Sequence, residues 1–408
     1  MSVTVTKYPD KITVRMKSTA DVVIAGGGCM GASVAWHLAQ RGITNVVLLE
    51  REAQLGTGST GKNAGGFRHQ FSNSANIELS IESIALMKNF EQIVGMPIDF
   101  HQDGYLFLLS KASQVETFKK NVALQQQHGV DVRFVSNDEA RELSPGIDLA
   151  GVKAATYCAA DGVADPNGVT MGFARGAQAR GVEIVRECEV TGAKLQGHRI
   201  TEVRTSKGVI STPIFINACG PWAKSIGRFV GVDVPVEPER RHIFIASPPG
   251  GGSWDDARHA GHVPGSKILV IDFDTTFYFH REGGGLLFGM GDPTEQPGFD
   301  ITVRWDFLPK VIEVAIQRLP ALADAAVSHA WAGLYEMTPD HNPIIGPSSD
   351  VEGFYTIAGF SGHGFQHSPA AGRILADVIA GVDPKFDLAP FELDRFASRI
   401  TSGEANVV

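Results

Sequence analysis

Residues 21–50 read DVVIAGGGCMGASVAWHLAQRGITNVVLLE, and this stretch decides the fold. Val22 to Ala25 is a short, uninterrupted apolar run between Asp21 and a glycine cluster, the pattern of a buried parallel strand. Gly26-Gly27-Gly28-Cys29-Met30-Gly31 follows as a GxGxxG turn opening a helix over Ala32 to Arg41, and Val46 to Leu49 supplies the next strand. Each glycine has a mechanical task. Gly26 makes the tight turn, Gly28 lets backbone N–H groups approach a pyrophosphate, and Gly31 lets helix and strand pack closely. Glu50, nineteen residues beyond Gly31, stands where a carboxylate accepts hydrogen bonds from a ribose hydroxyl. The competing reading is a tight turn with no ligand. The combined spacing of strand, turn, helix and acid favours a dinucleotide.

Around this unit lies a chain of 408 residues, about two to three domains by length. Its 43% hydrophobic and 20% charged residues are those of an ordinary globular protein, and its 46 glycines are the compositional excess. A net charge of −9 without a basic stripe argues against nucleic-acid partners. Cys29, Cys158, Cys188 and Cys219 form no CxxC pair, so no metal site or disulfide framework is expected, and a reducing, cytoplasmic compartment fits. Lys7, Asp10, Lys11, Arg15 and Lys17 leave no room for the apolar segment of a signal peptide. The longest uncharged stretch, Val22 to Gln40, is interrupted by glycines and ends in polar residues, so no membrane span is expected.

Leu55 to Phe71, LGTGSTGKNAGGFRHQF, is too rich in glycine and small hydroxyl residues for a regular element and suits backbone approach to a flat ligand. A helix is predicted over Asn76 to Ile93, another after the capping box Ser136-Asn137-Asp138-Glu139, and a third after Asp161-Gly162-Val163-Ala164-Asp165-Pro166. Val182 to Val185 and Glu187 to Val190 read as strands, and Arg199 to Arg204 with Val209 and Ile210 as a hairpin. Four runs, His242 to Ala246, Lys267 to Ile271, Thr276 to His280 and Leu286 to Gly289, predict an antiparallel sheet. Near the far end, Phe354 to Ala358 is a strand, Gly359 to Phe365 a glycine loop, and Ser368 to Ala380 a helix with Pro369 at its start. Two strand–glycine loop–helix units at opposite ends imply a discontinuous cofactor domain with an insertion.

The segments GGGCMGASVAWHLAQRG, GSTGKNAGG, DGVADP, INACGPWA, YEMTPDHNPIIG and GFSGHGFQHSP, in this order, resemble the signatures of the D-amino-acid oxidase superfamily of FAD-dependent oxidoreductases. The sarcosine oxidase, glycine oxidase and proline dehydrogenase β-subunit branch is the most similar. The resemblance implies an α/β plus α+β architecture: a discontinuous Rossmann-like FAD domain over 1–95, 155–232 and 328–408, with a substrate domain over 96–154 and 233–327. It also implies the cofactor contacts. Gly26, Gly28, Cys29, Met30, Gly31, Glu50 and Arg51 match the ADP site, Ser59, Thr60, Lys62, Asn63, Ala64, Gly65 and Gly66 the loop along the pyrophosphate and flavin edge, and Val190 the adenine contact. Ala218, Gly220 and Trp222 match the segment beneath the cofactor, and Gly333 and Tyr335 a flanking strand. Gly362, His363, Gly364, Phe365 and Gln366 match the loop facing the flavin N1/C2=O side, where a helix terminus stabilises negative charge.

Relatives with covalent flavin carry a cysteine within the segment matching Gly333-Leu334-Tyr335; this chain has none, so dissociable FAD is expected. Two family lysines are replaced, one by Leu287 and one by Gln366, which argues against a sarcosine oxidase in the strict sense. Arg68 matches an arginine that pairs with substrate carboxylate, Tyr278 a substrate-contacting tyrosine, and His280 and Gln366 lie within reach; His363 faces flavin or substrate. The implied reaction is oxidation of the C–N bond of a small amino acid or secondary amine, with hydride passing from the α-carbon to flavin N5 and hydrolysis of the imine. Oxygen or another acceptor takes the electrons, and a homo-oligomer or partner subunit is compatible with the pattern. GGFRHQFSNSANIELS resembles a flavoprotein of respiratory-complex assembly, so a flavin subunit working through a protein partner is the alternative; a plain nicotinamide dehydrogenase is a third.

Overall fold

A strand such as Val22–Ala25, with four inaccessible apolar side chains, must have both faces covered and both edges paired. In the computed structural model, which describes residues 16–397 and 403–407, it is an interior strand of a six-stranded sheet. The members are Val22–Ala25 (β1), Val46–Leu49 (β2), Glu183–Val185 (β3), Ile214–Asn217 (β4), Ile344–Pro347 (β5) and Phe354–Ala358 (β6). Their order is β5-β6-β4-β1-β2-β3, parallel except for the antiparallel edge strand β5. Cys29–Gln40 (α1), Ser74–Lys88 (α2), Pro166–Gln178 (α3) and Gly364–Ile379 (α4) cover one face, with α1 packed between α3 and α4. The charged stretch from Lys7 to Arg15 lies outside the described residues.

All four antiparallel runs expected between 237 and 290 are present, as Glu237–Ser247, Leu269–Asp272, Phe277–Glu282 and Gly285–Met290. They belong to an eight-stranded sheet with Ala326–Met337 at one edge and with Tyr105–Leu109, Ala154–Cys158 and Val132–Val135 continuing the other side. Tyr105–Leu109 joins in parallel with Leu269–Asp272, and the other pairings are antiparallel. The boundaries expected at 155 and 328 fall inside two of these strands. A separate aromatic and aliphatic core, including Phe244, Phe277, Phe279, Phe288 and Phe307, fills this half.

Three expected elements differ. The helix predicted over 76–93 is two helices, Ser74–Lys88 and Phe90–Val94, separated at Asn89, whose side chain donates to the Ala85 carbonyl at 2.8 Å and competes with the helical bonding. Glu187 has φ +53°, so Glu187–Val190 is no strand, and extended structure begins at Val190. The last long helix starts at Gly364, not Ser368, and contains Pro369. Pro369 lacks the N–H that would bond the Phe365 carbonyl, and the Ser368 hydroxyl supplies that bond at 2.8 Å. The Pro369 carbonyl also meets His37 Nε2 at 3.1 Å.

Glycine allows two close approaches here. A Cβ on Gly31 would overlap the Gly26 carbonyl oxygen, and one on Gly372 would overlap the Ser33 side chain, so β1 to α1 and α1 to α4 are both set by missing side chains. Gly31→Ala should therefore destabilise the protein by about 1–3 kcal/mol through overpacking, read as a lower midpoint in urea. An unchanged midpoint would contradict this packing.

Candidate active site

Two adjoining cavities open along the carboxyl ends of the parallel strands, where doubly wound sheets hold ligands. The larger, about 450 Å³, runs from Glu50 and Trp222 past the Gly26–Met30 turn; the smaller, about 140 Å³, lies between Tyr278 of the antiparallel sheet and the start of α4. Cys29, Ser59, Thr60, Lys62, Leu334 and Glu336 border both.

In the larger cavity α1 begins after Gly28 with no side-chain cap and no acidic residue in its first turn, so its N-terminal potential faces the space. Glu50 is held by the N–H groups of Gly27 (2.8 Å) and Glu52 (2.9 Å) at the end of β2. Arg51 lies 3.9 Å from the Trp222 ring centroid, making a cation and an aromatic face available at one end. The segment at 55–71, expected to lack regular structure, contains a 3-10 turn, Ser59–Lys62, fixed to Leu334 through the Ser59 hydroxyl at 2.7 Å, and a two-residue strand, Gly66–Phe67, paired with Gly162 and Val163.

The smaller cavity is lined by Arg68, Tyr105, Arg241, Tyr278, Tyr335 and His363 beside the apolar Ile243, Leu269 and Ile271. Arg68 is 5% exposed: its guanidinium donates to the Gln70 carbonyl and, at 2.5 Å, to that of Asn406, and stacks 4.0 Å from the Phe71 ring. Burial pushes its pKa down, opposed by Glu404 and by Tyr105, Asp161 and Tyr335. The Gln366 amide accepts from the Arg68 N–H at 2.9 Å, so Gln366 positions Arg68. Burial holds the Tyr278 and Tyr335 hydroxyls above the usual phenol range, so they remain protonated donors. Burial, then His367 and Arg68, hold His363 well below the imidazole range, leaving it neutral. Its Nε2 has no hydrogen-bond partner among the described residues.

Most residues expected at the cofactor line one cavity or the other; Gly31 and Gly65 instead pack against backbone, at Gly26 and Ala164. Two expected positions, His280 and Leu287, fall away from both cavities. His280 lines neither cavity, because its Nδ1 meets the Arg281 carbonyl at 2.8 Å and its Nε2 the Ala64 carbonyl at 3.0 Å, so it braces the loop. Gln366 lines the smaller cavity, but its amide group is engaged with Arg68 and His367. Leu287 is buried between Ile245 and His280 in the sheet, away from the lining.

Two features were missed. His69, Cys158 and Asp161 bring their ligating atoms within 4.8 Å of one another, with His69 distant in sequence from the other two. Asp161 is engaged by the His69 ring (2.7 Å) and by Gln70 (3.0 Å), and burial pushes the Cys158 thiol far up, so the group works as a hydrogen-bonded brace behind Arg68. The second is Glu336, a carboxylate between the cavities that accepts from the Gly359 N–H at 3.0 Å; burial raises its pKa to about 7. An acid among apolar neighbours in YEMTPDHNPIIG was the available signal.

The profile of a protein family described as "FAD dependent oxidoreductase" (DAO) matches residues 21–378. The chain belongs to this family. Mitochondrial dimethylglycine dehydrogenase from Rattus norvegicus is 29% identical over 95% of the chain, which spans about half (46%) of that protein. FAD-dependent oxidoreductase domain-containing protein 1 from Bos taurus is 32% identical over 92% of the chain and 85% of its own length. The crystal structure of L-proline dehydrogenase from P. horikoshii is similar with a TM-score of 0.86 and 33% identity, covering 95% of this chain and all of that one. The family's cofactor is FAD, and the residues here fit it. Like α1, α4 starts without an N-cap side-chain bond or first-turn acid; the Cys29 N–H of α1 goes to the Thr60 hydroxyl (3.2 Å), and the dipole ends of both helices still suit an anionic ligand, with the orphaned His363 Nε2 beside the second. No helix among the described residues is long and apolar enough to cross a membrane.

Two outcomes follow from this geometry. Gly28→Val places a branched side chain between the α1 terminus and Thr60, and the purified protein should lose most of its flavin absorbance; a normal flavin-to-protein ratio would contradict the assignment. Glu336 has a folded-state pKa above the ordinary 4.5, so its contribution to stability is full below that value and is lost as pH rises through about 7. Such a rise corresponds to at most about 3 kcal/mol, reduced by water in the cavities. Flavin-free protein should lose stability between pH 5 and 8 (roughly the span of the titration), and Glu336→Gln should flatten that slope; parallel slopes would contradict it.

Proposed function

We propose that this protein oxidises the C–N bond of a small amino acid or secondary amine, using FAD held without a covalent bond. The observation that carries the reading is the buried Arg68 guanidinium on the wall of a small, largely apolar cavity beside the open N-terminus of α4. When bound, FAD supplies the acceptor for the hydride of the substrate α-carbon. The chain's own residues do the rest. Arg68 pairs with the carboxylate, as its planar donors do well in a dry site. The protonated hydroxyls of Tyr278 and Tyr335 donate hydrogen bonds to the substrate, and Ile243, Leu269 and Ile271 exclude water, so orientation provides most of the acceleration. His363, kept neutral, adds no charge against a reacting amine. Loss of hydride and the amine proton gives an imine, which water converts to a carbonyl compound and the free amine. The names of two relatives, dimethylglycine and L-proline dehydrogenase, refer to amino acids and support this class.

A second reading, a flavin subunit acting mainly through a protein partner, is favoured by one observation. Ile301 on the lining of the larger cavity and Phe299, stacked on Trp222 beside it, leave large apolar side chains exposed. A cytoplasmic, reducing compartment is supported by four unpaired cysteines, while the rat relative's name places that protein in mitochondria. The two large sheets support a division into interleaved cofactor and substrate domains.

Anaerobic mixing with a panel of small amino acids should bleach the visible flavin band with at least one of them; no bleaching with any would sink the enzymatic reading. Acid precipitation should leave the flavin in solution, and colour retained in the pellet would contradict a dissociable cofactor. Replacing Arg68 by Ala should raise KM for the carboxylate substrate about 30-fold, equivalent to about 2 kcal/mol, with a smaller change in kcat. An unchanged KM would remove Arg68 from substrate binding.

A further inference from the structure

Residues 403–407, Gly-Glu-Ala-Asn-Val, have no apolar periodicity and no regular secondary structure, yet Glu404 is 2% exposed and Asn406 fully buried. Burying so polar a stretch is unfavourable unless each group is bonded, and here the bonds are present. The Glu404 carboxylate accepts from the Ser72 N–H (3.0 Å) and hydroxyl (2.8 Å), the side-chain amides of Asn73 (2.9 Å) and Asn76 (3.2 Å), and the N–H of Asn406 (2.9 Å). The Ala405 N–H donates to the Ser72 hydroxyl, the Asn406 amide to the Gln70 carbonyl at 3.1 Å, and Asn121 to Asn406 Oδ1 at 3.1 Å. On the other side, the Glu404 N–H reaches the Asp340 carbonyl at 2.9 Å. The segment is thereby fastened between the loops 70–76 and 338–342.

Its inner end touches the site directly. The Asn406 carbonyl takes one amino group of Arg68 at 2.5 Å while the Gln70 carbonyl takes the other, and Val407 is part of the lining of the smaller cavity. Glu404 is the foremost of the negative charges that offset the burial of Arg68. A guanidinium held at both amino groups has its plane fixed, and a valine on a cavity of about 140 Å³ removes space that a larger substituent needs.

We infer that residues 404–407 are a specificity-determining wall of the substrate pocket: Asn406 orients Arg68 and Val407 limits the size of what the pocket admits. The inference rests on the amino-acid reading above only for the identity of the ligand; the wall itself is a matter of geometry. Glu404 is a positioning residue, since it reaches the pocket only by fastening the segment. A merely structural fastening of the chain end would leave ligand size preference untouched, and that difference is the test.

Acetate and benzoate are suitable probes, their Kd values for the flavin-loaded protein read from perturbation of the visible spectrum. Val407→Gly should shift the acetate-to-benzoate preference at least about tenfold towards benzoate, within the range one pocket contact supplies. Glu404→Ala should weaken acetate about tenfold by releasing Arg68, and hydrogen exchange at 403–407 should rise. Where an amino-acid substrate has been found, Glu404→Ala should act on KM much more than on kcat. An unchanged acetate-to-benzoate ratio in Val407→Gly would overturn the inference, as would unchanged acetate binding in a Glu404→Ala protein whose segment exchanges freely. If Glu404→Ala fails to fold, Val407→Gly decides alone. If no amino acid reduces the flavin while the ratio shifts, the wall stands and the proposed reaction fails.

Discussion

Everything in the site depends on two helix N-termini brought side by side from opposite ends of the chain. α1 starts at Cys29 and α4 at Gly364, and they pack together because Gly372 leaves its place to the Ser33 side chain. Neither helix has a capping side chain at its own N-cap residue or an acid in its first turn, although the Cys29 N–H of α1 donates to the Thr60 hydroxyl at 3.2 Å. Open N-terminal potential of this kind is favourable only with an anionic or electron-rich ligand before it. The parallel order β6-β4-β1-β2 sets the spacing, since each helix follows its own strand.

The smaller cavity works on a different principle, the containment of one cation. Arg68 is buried, and carbonyls from two segments, an aromatic face and the charge of Glu404 compensate it. Behind it, Asp161 ties His69 and Gln70 in place. A guanidinium so constrained is costly to reorganise, and the proposed pairing with a substrate carboxylate rests on that fixed orientation. Glu336, between the two cavities, is the other buried charge that matters, and its raised pKa makes it the group that couples the site to pH near neutrality.

Local patterns carried much of this in the sequence. The strand–turn–helix at 22–41, the Ser136 N-cap and the four antiparallel runs are all set by near neighbours and periodicity, and the structure has them; of the capping box expected at Ser136 it has the bond from the Glu139 N–H to the Ser136 hydroxyl, while the Glu139 carboxylate pairs with Arg133. What was illegible depends on distant partners. Pro369 lies within a helix because Ser368 satisfies the carbonyl that proline leaves free, a compensation no propensity shows. His280 is a brace because its ring meets the Ala64 carbonyl, 216 residues away in sequence. The burial of the polar segment at 404–407 arises from amides at 70–76, and periodicity has no means of registering it. Resemblance supplied the cofactor and most of the residues that line the two cavities, but not Glu336 or the segment at 404–407.

The most direct test of the account is the crystal structure of the flavin-loaded protein with acetate bound. The account predicts one FAD spanning both cavities, its pyrophosphate at the Gly28 turn and its ring beside Gly362 to Gly364, with the acetate carboxylate on Arg68. A cofactor confined to the larger cavity, or acetate bound away from Arg68, would contradict it.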